Sequence, residues 1–188
     1  MDLMGCFFYN KPMKSPQIIS SNYIIRPFKK EDALLWQTWD IDPEIQVYMP
    51  EPKNEVHDIS IQYEYIGECE NDEDGYYWSI ETKDGATIGT VSLFEINPYH
   101  KTADLGIVIG DKEYWGKGVA TEVINTIKEH AFNTLGIERI NAEVEEENIP
   151  MKKVFEKTGF KQDGIFKNAR IKNGKRINVL HFGICNTK

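Results

Sequence analysis

The stretch Leu105 to Thr121, LGIVIGDKEYWGKGVAT, decides the fold. An apolar, β-branched run ends at Ile109 and reads as a strand. The loop Gly110 to Trp115 follows, and Gly116-Lys117-Gly118 opens a long helical pattern. Val119, Val123, Ile127 and Ala131 recur four apart, with Ala120 and Ile124 beside them, so one face of a helix from Gly116 to Leu135 is apolar. Gly136 is placed to cap its end. Glycines at a helix start let the backbone approach a ligand closely. The unpaired N–H groups of the first turn and the positive end of the helix dipole then favour a phosphate. The loop and first turn, Tyr114 through Thr121, therefore point to a pyrophosphate-bearing ligand, with Lys117 adding charge. The spacing alone leaves the ligand open. Thr121 stands where the dinucleotide pattern G-x-G-x-x-G needs its third glycine, and Gly118 follows Gly116-Lys117 where a P-loop needs Ser or Thr. A tight helix entry without a ligand also accounts for the two glycines.

Around this unit the chain alternates strand and helix signals. Asn22 to Pro27 reads as a first strand, Lys30 to Trp39 as a helix closed before Pro43, and Glu55 to Glu68 as a second helix. The acidic run Glu68 to Gly75 reads as a solvated turn. Three strands follow, Tyr76 to Thr82, Ala86 to Ile96 and Ala103 to Gly110, with Asp84-Gly85 as a hairpin turn between the first two. Beyond the long helix come a strand at Arg139 to Glu145, a short helix at Pro150 to Lys157, and strands at Phe160 to Phe166 and Arg176 to Ile184. The order predicts an α/β fold with a mixed, mostly antiparallel sheet flanked by helices.

Composition bounds the function. The 188 residues suit one α/β domain from residue 22 to 188, with residues 1–21 as an extension. A net charge of −8 disfavours nucleic acid and suits a cationic small substrate. No apolar run is long enough to span a bilayer, so no membrane partner is expected. Cys6, Cys69 and Cys185 are odd in number and far apart, and His57, His100, His130 and His181 lack ligand spacing. No metal site is expected, and a reducing cytoplasm is the expected setting.

The chain from Tyr23 to Ile184 resembles the GCN5-related N-acetyltransferase (GNAT) family. Its [QR]-x-x-G-x-[GA] loop aligns with Glu113-Tyr114-Trp115-Gly116-Lys117-Gly118, with a departure at Glu113. Glu147-Asn148-Ile149-Pro150-Met151 through Val154-Phe155-Glu156-Lys157-Thr158-Gly159-Phe160 looks like a second family segment. Ile88 to Val91, Glu95 to Asp104, Asp163 to Phe166 and Asn173 to Lys175 look like the ribosomal-protein-acetylating and spermidine-acetylating branches. The resemblance implies acetyl-CoA as co-substrate and direct attack of an amine on the thioester, the amine belonging to a polyamine, an amino sugar or a protein N-terminus.

It also implies that the strand before the glycine loop is splayed, so that backbone groups of Ile107, Val108 and Ile109 bond the pantetheine. Asn148 would bond that arm or a nearby backbone group, and Phe155 would pack against it. For the base the sequence offers Glu95 and Asp104. Alternation puts Asp104, Gly106 and Val108 on one strand face. Phe155 replaces a tyrosine that many members use as an acid. That replacement keeps a competing reading open, a non-catalytic CoA-binding sensor or scaffold. Acceptor choice is expected from Trp36, Trp39, Tyr48 and Glu51. The oligomeric state stays open, a homodimer included.

Overall fold

The computed structural model describes residues 15–49 and 58–187. The readings at Cys6, at Pro50 to Pro52 and at Glu55 to His57 lie outside these residues. An eight-stranded sheet runs in the order β1-β2-β3-β4-β5-β6-β8-β7. Its strands are β1 (Ile18–Ile19), β2 (Tyr23–Pro27), β3 (Tyr76–Thr82), β4 (Thr87–Asn97), β5 (Thr102–Ile109), β6 (Arg139–Glu145), β7 (Lys161–Lys172) and β8 (Lys175–Cys185). The helices are α1 (Asp32–Asp40), α2 (Pro43–Gln46), α3 (Ser60–Asn71), α4 (Val119–Asn133) and α5 (Ile149–Lys157). Every strand pair is antiparallel except β5 with β6.

Period-two alternation divides the sheet into two faces. Tyr76, Trp78 and Ile80 of β3 join Ala103 and Leu105 of β5 under α4, whose Val123, Ile124 and Ile127 are fully buried. Tyr77 and Val108 face the other way, against Phe28, Trp36, Trp39 and Ile66 under α1 and α3. Between these layers a buried polar knot fastens α1 to the sheet. Arg26 of β2 forks onto Asp32 at 2.8 and 2.8 Å and reaches Glu81 at 2.5 Å, while Ser79 donates to Asp32 at 2.7 Å. Burial alone would raise the Asp32 carboxyl, but hydrogen bonds from Arg26, the Lys29 amide and Ser79 outweigh it and hold it below the usual carboxylate range.

Several elements differ from the sequence reading. Asp42-Pro43, read as a stop, starts α2, because the Asp42 carboxylate caps the Glu44 amide at 2.9 Å and proline suits the first helical position. The acidic run after Glu68 is not all turn. Glu68 to Asn71 complete α3, since Cys69 continues the buried stripe of Gln62 and Ile66. The penultimate strand, expected to end at Phe166, runs to Lys172, with breaks in register that its alternation hides. Residues before 22 join the sheet through β1, and Pro16 C=O accepts from the Trp78 indole at 2.7 Å.

Candidate functional site: a forked sheet at the start of a long helix

The parallel pairing of β5 with β6 covers only Thr102 to Asp104 against Arg139 to Asn141. Beyond Asp104 the two strands part, and a cleft of about 460 Å3 opens between Leu105–Val108 and Ala142–Glu145. On its other side β5 stays paired with β4 as far as Ile109. The Gly110 amide bonds Ile88 C=O at 3.0 Å, which sets the alternation of the ladder. Counting back from that rung, Val108 spends its backbone groups on β4, whereas Ile107 and Ile109 turn theirs toward the fork. The Ile109 C=O does point away from β4, since the Trp115 indole donates to it at 2.7 Å. The three residues taken together from the sequence thus separate. Ile107 and Ile109 turn their backbone groups toward the fork, and Val108 lines the cavities on either side of it.

From Ile109 the chain passes through a 3₁₀ turn, Lys112 to Tyr114, into the glycine pair. Gly116 and Gly118 adopt φ of +70° and +86°, where other L-residues are strained, and a Cβ at either would meet nothing within 4 Å. Their glycine character therefore serves the turn and an open approach. Gly118 is the N-cap of α4, and the first i→i−4 bond runs from Glu122 N–H to Gly118 C=O at 3.0 Å. The Val119, Ala120 and Thr121 amides precede that bond and face the helix entrance. Lys117 is exposed, its ammonium 5.4 Å from the Tyr114 ring centre, and Tyr114 packs on the core. Glu122 is the one acid of this first turn. Its carboxylate is engaged by Ser20 at 2.8 Å and by the Asn22 amides at 2.7 and 2.8 Å. Burial would raise it, yet these bonds hold it below its ordinary value.

Asn148 caps α5, accepting from the Met151 amide at 3.1 Å, so it bonds a nearby backbone group. Phe155 is buried against Phe160 and Phe182, ring centres 5.1 and 5.2 Å apart, and lines the fork. Asp104 and Glu95 line the same cleft. Glu95 sits where β4 loses register between Phe94 and Asn97, with φ of +50°. Asp104 is half-buried and accepts from the Asn141 amide at 3.0 Å. Asn141 is in turn oriented by Arg139, whose guanidinium donates to it at 2.7 Å and also pairs with Asp163.

Sequence reasoning missed Asn141, Glu143, Glu145 and Arg170, which also belong to this region. Glu143 meets Arg170 at 2.6 Å, and the buried Glu145 takes Lys172 on both oxygens at 2.7 Å. No local spacing marks these pairs; they exist only through the β6–β8–β7 register. Of the residues expected to choose the acceptor, Tyr48 borders the fork, Trp36 and Trp39 line a neighbouring cavity, and Glu51 lies outside the described residues; Met49, not expected, borders both spaces. Among the described residues no group of three or more His, Cys, Asp or Glu is gathered to hold a metal, and no helix is long and apolar enough to cross a membrane.

A strand forked from its neighbour, feeding a two-glycine turn at the amino end of a long helix, is the architecture of an acyltransferase that uses a coenzyme A thioester. The chain belongs to the GNAT acetyltransferase family, whose domain model matches residues 22–161, and it is an N-acetyltransferase with acetyl-CoA as co-substrate. It is 28% identical over 162 residues to a spermidine N(1)-acetyltransferase of Escherichia coli K12, covering 85% of this chain and 84% of that protein. It superposes with a TM-score of 0.80 on the spermidine N-acetyltransferase of Vibrio cholerae in complex with CoA and spermine, at 25% identity over 88% of this chain and 96% of that one. Its likeness to Mycobacterium smegmatis RimJ in complex with CoA-disulfide is one of fold, with a TM-score of 0.82 at 19% identity, covering 93% and 89% of the two chains.

Proposed function

We propose that the acceptor is a small cationic amine of the polyamine class, acetylated in the β5–β6 fork. The observation that carries this reading is the charge of the cleft. Glu95, Asp104, Glu143 and Glu145 line it, and Arg170 is the one basic residue among its described lining. Because Arg170 and Lys172 are taken up by Glu143 and Glu145, Glu95 and Asp104 leave an excess of negative charge where the amine must enter. The net charge of −8 adds long-range attraction for such a substrate. Relatives that acetylate spermidine support the same class.

Bound acetyl-CoA supplies a thioester carbon open to amine attack. The amides of Gly118, Val119, Ala120 and Thr121 hold its diphosphate, with Gly116 and the side chains of Tyr114, Trp115 and Lys117 bordering the loop. Ile107 and Ile109 bond the pantetheine, and one of their N–H groups polarises the carbonyl as charge develops on its oxygen. Asn148 fixes the start of α5 beside the arm, and Phe155 packs against it. An ammonium is not a nucleophile, so a proton must leave first. Asp104, held by Asn141 at the vertex, receives that proton, and Glu95 holds the incoming cation. Phe155 has no proton to give, and the thiolate leaves unassisted, which its low basicity permits.

Thiol release from acetyl-CoA, followed across spermidine, putrescine, glucosamine and a peptide N-terminus, tests the reading. Preferred turnover of the polyamines is expected. Preferred turnover of the peptide or the sugar would replace the acceptor class, and CoA binding without turnover of any amine would favour a sensor.

A further inference from the structure

Three features of β6, β7 and β8 converge behind Asp104. The first is spacing. Arg139 and Asn141 stand two apart on β6 and so share one of its faces, and Asn141 meets Asp104 of β5 on the last parallel rung. The second is a gap. Gly183 of β8 lies opposite Asn141, and a Cβ there would run into the Arg139 guanidinium and the Asp163 carboxylate. A bare backbone at this position lets those two groups meet. The third is a bulge. The register of β7 on β8 slips between Gln162 and Gly164, which leaves Asp163 as the extra residue, with its carboxylate paired to Arg139.

The chemistry of these groups gives the chain of bonds one direction. Arg139 donates from Nη2 to Asp163, from Nη1 to Cys185 Sγ at 3.7 Å, and from Nε to Asn141 Oδ1 at 2.7 Å. A guanidinium has donors only, so Asn141 turns its oxygen to Arg139 and its NH2 to Asp104 Oδ1, at 3.0 Å. Without Arg139, the Asn141 amide is free to rotate and set its oxygen against the carboxylate, acceptor facing acceptor. The ion pair at the far end adds little to the fold. The Arg139 and Asp163 side chains are 37% and 45% exposed, and pairs this open to water are weak. The glycine, the bulge and the asparagine together serve orientation rather than strength.

We infer that Arg139 and Asp163 are positioning residues for acetyl transfer, acting through Asn141 to hold the Asp104 carboxylate with Oδ2 toward the amine. The inference rests on Asp104 as the proton acceptor. In that step an N–H bond of the ammonium breaks, its electron pair stays on nitrogen for attack on the thioester carbon, and the proton passes to Asp104. The relay moves no proton itself; it fixes the geometry in which the carboxylate meets one.

The test follows thiol release with spermidine, acetyl-CoA calorimetry and melting curves in Arg139→Met, Asp163→Ala and Gly183→Ala, each alone and combined with Asp104→Asn. In Arg139→Met, kcat is expected to fall about ten-fold, while both KM values and acetyl-CoA affinity stay within two-fold. Gly183→Ala should lose kcat in the same way, because its Cβ pushes apart the ends of two flexible side chains and leaves the strand intact. In the Asp104→Asn background, neither change should lower kcat further. The parent's kcat in Arg139→Met, or an equal loss with and without Asp104, would overturn the relay. Should Arg139→Met fail to fold, Gly183→Ala decides by the same two criteria. Asp163→Ala should lose kcat in the same sense, and the parent's kcat there would remove Asp163 from the relay. Asp104→Asn with the parent's kcat would instead overturn the reading of the proton acceptor itself.

Discussion

The Asp104 carboxylate accepts from the Asn141 amide at 3.0 Å across the last paired rung before β5 and β6 separate. Behind Asn141 stand Arg139 and then Asp163, so the carboxylate at the vertex is oriented by a chain of polar contacts running toward β7. The proposal that Asp104 is the proton acceptor rests on this arrangement. Asp104→Asn should lower kcat about 10²-fold while leaving acetyl-CoA affinity within two-fold, as read by thiol release and calorimetry. A variant with the parent's kcat would remove Asp104 from the chemistry.

The glycine turn makes a separate prediction about the donor. At φ of +86°, an L-residue other than asparagine or aspartate costs about 1–2 kcal/mol, and the space beyond Gly118 is open. Gly118→Glu should weaken CoA binding at least ten-fold by bulk and charge at the diphosphate position. Gly118→Asn, which tolerates this backbone, should retain most of the affinity. If the Glu variant bound CoA like the parent, the diphosphate would have to lie elsewhere.

Gly110 links the donor loop to the acceptor-side helices. A Cβ there would run into the Trp39 ring, and Trp39 is packed in the core at the end of α1. Gly110→Ala should therefore destabilise the fold by about 1–3 kcal/mol, a fall in Tm of roughly 2–10 °C. An unchanged melting curve would mean that α1 moves away at no cost.

The Arg26–Asp32 pair predicts the response to acid. Asp32 has its folded-state pKa depressed, so its contribution is complete above the unfolded value of about 4 and is lost as pH falls through the folded value. Tm should fall in that window more steeply for the parent than for Asp32→Asn. At neutral pH, Asp32→Ala should cost about 3–5 kcal/mol, because Arg26 stays buried without its partner. Parallel acid titrations of the two proteins would contradict this.

The elements around the proposed donor site were legible because their signals are local. The strand, the glycine turn and the amphipathic α4 follow one another directly along the chain, from Thr102 to Asn133. The acceptor half was not, and the reason is topological. Asn141 meets Asp104 only through a parallel register, and Arg170 meets Glu143 only through the β7–β8 hairpin. The cavity under α1 and α3 was hidden for another reason. Trp36 and Trp39 at helical spacing read as core, and they are core, yet they also wall a space whose floor comes from β3, β4 and β5.

By ending its partnership with β6 at the third rung, β5 leaves main-chain groups beyond Asp104 without a β6 partner. On the site proposed above, the pantetheine arm, whose two amides make it chemically a short stretch of peptide, would fill that gap as a substitute strand. Loading with donor would then extend the protein's own hydrogen-bond ladder, and heat resistance is expected to climb with coenzyme concentration by mass action.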